Sequence, residues 1–236
     1  MKPIIVANWK ANKTQTEAKT WLNETKAELE KLTKVEIVIC PPFVTIPVLA
    51  NELAGSVIKL GGQTVSSKPT GAFTGEVAAE LLRGLVSHCI VGHSERRRYF
   101  AEDSNQVAAK IERLLANAIV PIVCVSDLTQ LDDYFSTSQV FKENSEKVVF
   151  VYEPPSAISG GGDYHPEDPN SVLQNVEAIR SKVVSSVQVL YGGSVNKEAI
   201  GQFLAVSKIN GVLVGKASLD PVEFVAISQI ISSSVV

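Results

Sequence analysis

Three side chains in this 236-residue sequence have neighbours suited to proton chemistry on an anionic substrate: Glu153, His93 and Lys10. Glu153 follows a β-branched and aromatic run, residues 148–152, that reads as a fully buried strand. It precedes Pro154 and Pro155, which end pairing and stiffen the exit because φ is set and the ladder donor is missing. Small residues at 156–162, including three consecutive glycines, then form a pliable stretch. A carboxylate at a strand tip, between a stiff hinge and a flexible flap, suits a general base under a closing lid. The plain alternative is a surface loop whose glutamate faces water.

His93 stands in Val91-Gly92-His93-Ser94-Glu95-Arg96-Arg97. Gly92 allows a sharp turn, and Ser94 to Arg98 can open a short helix. At a helix N-terminus the positive end of the dipole disfavours a second positive charge, so the imidazole is expected to be neutral and to donate a hydrogen bond. The plain reading is a satisfied structural histidine. Asn8-Trp9-Lys10 ends an apolar run, and alternation points Asn8 and Lys10 to one side while Trp9 packs outward. Lys10 is then a fixed positive charge, which Glu95 can accept from and hold in place; otherwise it is a surface lysine. Tyr191-Gly192-Gly193-Ser194-Val195-Asn196 and Leu213-Val214-Gly215-Lys216-Ala217-Ser218 both turn on glycine and lead towards helices, exposing N–H groups suited to phosphate.

Short apolar runs begin near Ile4, Glu36, Ile58, Ser87, Val120, Val148, Val187 and Gly211. Between most of them lies a helical period. Ala18, Trp21, Leu22, Leu29 and Leu32 form one stripe; Val107, Ile111, Leu114, Leu115 and Ala118 form another, with Ser104 as the expected cap. Asp220-Pro221 is a helix start, with aspartate as cap and proline at the first position. Strands alternating with helices demand a parallel sheet, and eight units without a linker point to one α/β domain over 1–236, a closed (β/α)8 barrel. An open doubly wound sheet stands second, and no G-x-G-x-x-G follows the first strand. In a barrel, chemistry sits at the carboxyl ends of the strands, and the last two loops form the usual phosphate site.

Composition narrows the partners. The net charge is −3 and the pI about 5.7, with no basic cluster beyond Arg96-Arg97-Arg98, so neither nucleic acid nor a membrane is an expected partner. Cys40, Cys89 and Cys124 read as buried free thiols in a reducing compartment, and neither they nor His88, His93 and His165 have metal-ligand spacing. The stretch MKPIIVANWK has too short an apolar segment for a signal peptide. A cytoplasmic protein is expected, with no metal and no organic cofactor.

The chain resembles the triosephosphate isomerase family in six motifs, met in the family's order: Asn8-Trp9-Lys10, Gly71-Ala72-Phe73-Thr74-Gly75-Glu76, the His93 segment, Tyr152-Glu153-Pro154, the Gly192-Gly193 turn and Leu213-Val214-Gly215. The resemblance implies an aldose–ketose isomerase acting on a triose phosphate in glycolysis or gluconeogenesis. Glu153 would be the base, and neutral His93 the electrophile that stabilises an enediolate, a use of imidazole for which this family is itself the standing example. Lys10, with Asn8 beside it, would add positive charge, and Glu95 would position Lys10. N–H groups of Ser159, Ser194, Gly215 and Lys216 would hold the phosphate. Residues 63–79 form a long irregular connection. By resemblance this loop docks into a second subunit of a homodimer, bringing Thr74 near the partner's site.

Departures from the family concentrate beside Glu153. Pro155 and Ser156 replace a bulky apolar residue and tryptophan, Ser159-Gly160-Gly161 replaces Gly-Thr-Gly, and Cys124-Val125-Ser126-Asp127 replaces Cys-Ile-Gly-Glu. Ser156 and Asp127 are expected to form a smaller substitute contact. The fifth unit, from Cys124 to Glu153, is short, so its helix should be reduced or irregular. Lys216 stands where the family has a second glycine; a Cβ must be tolerated there, and the side chain is expected to turn to solvent. Two readings stand beside the isomerase: a barrel that binds triose phosphate but turns over poorly, and a barrel isomerase acting on another sugar phosphate.

Overall fold

The computed structural model describes residues 1–154, 166–206 and 208–235. Among these residues, eight strands pair in parallel and in chain order, and the first closes onto the last. They are β1 (Ile4–Asn8), β2 (Glu36–Cys40), β3 (Lys59–Gly62), β4 (His88–Val91), β5 (Val120–Val125), β6 (Val149–Tyr152), β7 (Gln188–Tyr191) and β8 (Gly211–Val214). The closed (β/α)8 barrel expected from the alternating pattern is the architecture observed, and the open sheet is excluded.

Alternation along each strand divides the apolar residues into two shells. Val6, Val38, Cys40, Ile90, Ile122, Cys124, Val149, Val151, Leu190 and Leu213 fill the barrel interior. Their neighbours in sequence, such as Ile5, Ala7, Ile37, Val123, Phe150 and Val189, face outward against the helices. All three cysteines are free and buried, Cys40 and Cys124 inside and Cys89 outside.

Helices connect the strands: α1 (Gln15–Glu30), α2 (Ile46–Glu52), the single turn α3 (Ala79–Leu82), α4 (Ser94–Phe100), α5 (Ser104–Ala116), α6 (Thr129–Thr137), α7 (Gln139–Asn144), α8 (Pro169–Lys182), α9 (Ile200–Val206) and α10 (Pro221–Ser233). Trp9 points outward as expected and meets Trp21 of α1 edge-on at 5.0 Å, so an aromatic pair anchors the end of β1. Asp220 caps α10 by accepting from the Glu223 N–H. Two expectations are corrected. The cap of α5 is Asp103, paired with Gln106 in a capping box, and not Ser104, because a carboxylate one residue earlier reaches the free N–H of the third helical residue. Ala118 lies beyond the helix, exposed and left-handed at φ 56°, so it is not part of the buried stripe.

The short fifth unit is broken as anticipated. Its helical material ends at Ser138 and restarts, giving α6, α7 and a 3-10 turn at Ser145–Lys147. The Ser138 hydroxyl caps α7 by accepting from the Phe141 N–H, and its own hydrogen goes to Glu112.

At the amino-terminal end of the barrel, His88 is buried beside Glu36, with Lys59 paired to the same carboxylate at 2.8 Å. Burial pushes the imidazole down from its ordinary 6.5 to about 4, against the pull of Glu36. Above pH 6.5 it is neutral in both folded and unfolded chains; between 6.5 and about 4 the unfolded chain binds a proton that the barrel refuses. Stability should therefore fall by up to about 3 kcal/mol across that window. Urea unfolding followed from pH 7 to pH 4.5 should show this slope, and His88→Gln should flatten it.

Candidate active site

The carboxyl ends of the strands gather the sequence-predicted residues at one mouth. Val149 and Val151 face the barrel interior, so the next inward residue at the end of β6 is Glu153. Its N–H continues the ladder to the Val125 carbonyl at 2.9 Å, and its side chain is only 1% exposed. The carboxylate is fully engaged. Oε1 lies 3.1 Å from His93 Nε2, and Oε2 accepts from the Ser94 N–H at 2.9 Å. The Cys124 thiol of the adjacent β5 is buried beside it; burial, reinforced by this carboxylate, raises that thiol well above its usual value and keeps it protonated.

The imidazole is delivered by a tight turn. Gly92 adopts φ 71°, a left-handed conformation that a side chain would strain. His93 then caps α4, its Nδ1 accepting from the Glu95 N–H at 3.2 Å. An accepting Nδ1 carries no proton, so the ring's hydrogen is on Nε2 and points at Glu153. Tautomer and direction are therefore set by one backbone donor.

Lys10 faces this pair from β1. Its Nζ donates to Glu95 Oε1 at 2.6 Å, the pairing expected from the sequence. The backbone of Lys10 is left-handed, φ 53°, and is held there by neighbours. Its N–H donates to Asn8 Oδ1 at 3.2 Å, and its carbonyl accepts from Gln63 Nε2 at 2.9 Å. Gln63 also donates to the Cys40 carbonyl at 2.9 Å, tying the ends of β1, β2 and β3 together.

At the seam between β8 and β1, a Cβ added to Gly215 would lie 3.7 Å from Lys10 Nζ, so the glycine turn and the ammonium share one space. Lys216 opens a 3-10 turn, Lys216–Leu219, where the first N–H groups lack an internal acceptor. Its backbone is not left-handed, so its Cβ is accommodated without strain, and its side chain is exposed. Ser194 is half-buried after the β7 turn. Ser159, Pro155, Ser156 and Gly160 lie outside the described residues, as does the expected Ser156–Asp127 contact. Asp127 itself accepts from the Thr129 N–H and hydroxyl at the start of α6. Thr74 stands on an exposed loop.

Such a mouth presents one ammonium, one neutral imidazole donor, one buried carboxylate and a glycine turn with open amides. A family model described as triosephosphate isomerase matches residues 3–231. The chain belongs to the triosephosphate isomerase family. A triosephosphate isomerase of Symbiobacterium thermophilum is 37% identical over 243 residues, covering 95% of each chain. One of Dictyoglomus turgidum is also 37% identical, over 94% of this chain and 97% of its own. Among solved structures, the triosephosphate isomerase of Bartonella henselae superposes with a TM-score of 0.83 at 27% identity, over 98% of this chain.

Within this triosephosphate isomerase fold, four contacts of the site were not expected from the sequence: those of the Ser94 N–H, Cys124 and Gly192 with Glu153, and that of Gln63 with Lys10. Ser94 and Gln63 had a usable signal: the first N–H of a helix seeks an acceptor, and Gln63 directly follows a strand end. Cys124 had none beyond its place in an apolar run. At Gly192 a Cβ would fall 2.5 Å from Val151 Cγ1 and 3.1 Å from Glu153 Cγ, so β7 approaches the carboxylate too closely for any side chain. Gly192→Ala should therefore destabilise the barrel by about 1–3 kcal/mol through overpacking. Chemical denaturation checks this, and an unchanged midpoint would contradict the crowding.

Proposed function

We propose that this chain interconverts glyceraldehyde 3-phosphate and dihydroxyacetone phosphate through an enediolate. The observation that carries the reading is the buried Glu153 carboxylate, 3.1 Å from an imidazole Nε2–H, at the mouth occupied by Lys10. Family membership supports the substrate class.

The substrate's phosphate dianion is taken at the β7 and β8 turns by N–H groups of Ser194, Gly215 and Lys216, with Ser159 assigned by resemblance. Lys10 supplies positive charge near the phosphate and the reacting oxygens, steadied by Glu95 and flanked by Asn8. Glu153 leaves its Ser94 and His93 donors and removes a proton from the carbon next to the carbonyl. The electron pair moves through the carbon–carbon bond onto the carbonyl oxygen, where Nε2–H of His93 and the Lys10 ammonium stabilise the developing charge. Glu153, now a carboxylic acid, returns its proton to the neighbouring carbon. A proton crosses between the two oxygens within reach of His93, which completes the isomerisation with no net gain or loss of atoms. His93 can help only while neutral, since an imidazolium would surrender its proton outright.

We assign no cofactor to this reaction. Among the described residues no group of three or more His, Cys, Asp and Glu side chains could hold a metal ion, and no helix is long and apolar enough to cross a membrane. Buried free thiols support a reducing, cytoplasmic setting. We also propose a homodimer through residues 63–79. Val44, Phe73, Tyr99 and Phe100 are exposed large apolar side chains on the segments that follow β2, β3 and β4. Exposed apolar side chains on three successive connections suit burial against a second copy.

Two experiments test these assignments. In a coupled assay on glyceraldehyde 3-phosphate, Glu153→Gln should lower kcat by roughly 10²–10⁴-fold, the usual worth of a positioned general base. A low native rate that the substitution leaves unchanged would favour a binding barrel with poor turnover. Sedimentation at micromolar concentration should show a dimer, and Phe73→Glu should shift it to monomer.

A further inference from the structure

We propose that Tyr134 is a positioning residue for His93, acting through Arg97, an inference that rests on the role given to His93 above. The turn that aims the imidazole hinges on Gly92, and side chains hold both of that residue's backbone polar groups. Its N–H donates to Glu102 Oε1 at 3.0 Å, and its carbonyl accepts from Arg97 Nε at 3.0 Å. A Cβ at Gly92 would lie 3.1 Å from Arg97 Nη2, so the guanidinium covers the glycine directly.

One hydrogen bond would leave that guanidinium free to pivot. Its second prong, Nη2, donates to the Tyr134 hydroxyl, and its carbon sits 5.9 Å from the centre of the tyrosine ring. A planar group fixed at two nitrogens cannot rotate about either contact. The hydroxyl is a neutral acceptor, since burial raises it away from ionisation.

Tyr134 is fully buried on α6 and stands edge-on to Phe141 of α7, with ring centres 5.8 Å apart. Phe141 in turn meets Phe150 of β6 at 6.2 Å. Phe150 lies on the strand that ends in Glu153, so one ring cluster bears on both the strand carrying the base and the turn carrying the imidazole. These contacts come from the broken fifth unit, the same segment whose helix is reduced. Its remaining packing is directed at the active-site turn.

The other flank of the turn is built differently. Glu102 is buried and ion-paired to Arg96 and Lys110. Burial alone would raise its carboxyl, but those two cations hold it below the usual range. That side is a network of charges, whereas the Tyr134 side rests on a single neutral hydroxyl. Removing one oxygen is therefore a clean perturbation.

The test compares the native enzyme with Tyr134→Phe, Arg97→Gln and the double variant, using steady-state kinetics and the nitrogen-15 resonances of the His93 ring. Tyr134→Phe keeps the ring packing and removes the acceptor. Its kcat should fall roughly tenfold, since small misplacements of a reacting group cost that much or more. KM should move less than about twofold, because the phosphate site is untouched. The His93 Nε2–H signal should shift or broaden. The double variant should lose no more than Arg97→Gln alone, because both changes release one clamp. A native kcat in Tyr134→Phe, or losses that multiply in the double variant, overturns the proposal. If Tyr134→Phe does not fold, Arg97→Gln with a native kcat overturns it equally. An inactive native chain refutes the isomerase reading instead, and an unshifted ring resonance in Tyr134→Phe then decides against the clamp.

Discussion

In a parallel sheet closed between β1 and β8, each strand residue has two directions available: into the barrel or out to the helices. Every other constraint in the molecule follows from that restriction. Apolar residues fill both directions along the strands, so the first inward position past each strand end is where a polar side chain can meet others without breaking the packing. Glu153 occupies such a position just past β6, and Asn8 takes the last inward position of β1 itself. The turns that follow bring Lys10, His93 and Gly215 to the same mouth. Chemistry at the carboxyl ends is thus a consequence of period-two alternation and closure.

Burying a carboxylate at that mouth requires partners, since an unpaired buried charge is costly. Glu153 has two, an imidazole N–H and a helix-start N–H, both from the β4 turn, and the buried Cys124 of the neighbouring strand β5 stays protonated beside it. The same donors that satisfy the resting carboxylate also aim the imidazole, because His93 can donate from Nε2 only while Glu95 N–H occupies Nδ1. Base and electrophile are therefore oriented by one another. Lys10 is held separately through Glu95, and its left-handed backbone is tied down by Gln63 and Asn8. Backbone strain at this residue places the ammonium over the glycine turn of β8.

The fifth unit shows how a fold absorbs shortening. A full helix is replaced by two short ones that restart at Ser138, and the lost length is offset by aromatic packing among Tyr134, Phe135, Phe141 and Phe150. Phe141 in that cluster packs on Phe150, which faces outward from β6, the strand that leads to Glu153. The strand that carries the base thereby keeps its backing although its connecting helix is reduced.

Much of this was legible in one dimension. Strand runs, helical stripes and the Asp220-Pro221 start are local, because a period of two or of 3.6 residues can be read from neighbours alone. Lys10, His93, Glu95 and Glu153 were visible as candidates, each beside its own turn or strand end, but it was the six motifs in family order that gave them catalytic roles. Local reading failed where two candidates competed within one residue, as Asp103 displaced Ser104 at the start of α5. It failed more completely where partners are far apart in the chain. No spacing shows that Gln63 grips Lys10, that Ser94 and Cys124 flank Glu153, that Gly192 is crowded by Val151, or that Arg97 joins Gly92 to Tyr134. Those contacts exist only because closure sets adjacent strand ends side by side, about 4.8 Å from one another. The sequence by itself determined which residues sit at strand ends and which way they face. The tertiary structure alone decided which of them touch, since distance in space between strand ends is independent of distance along the chain.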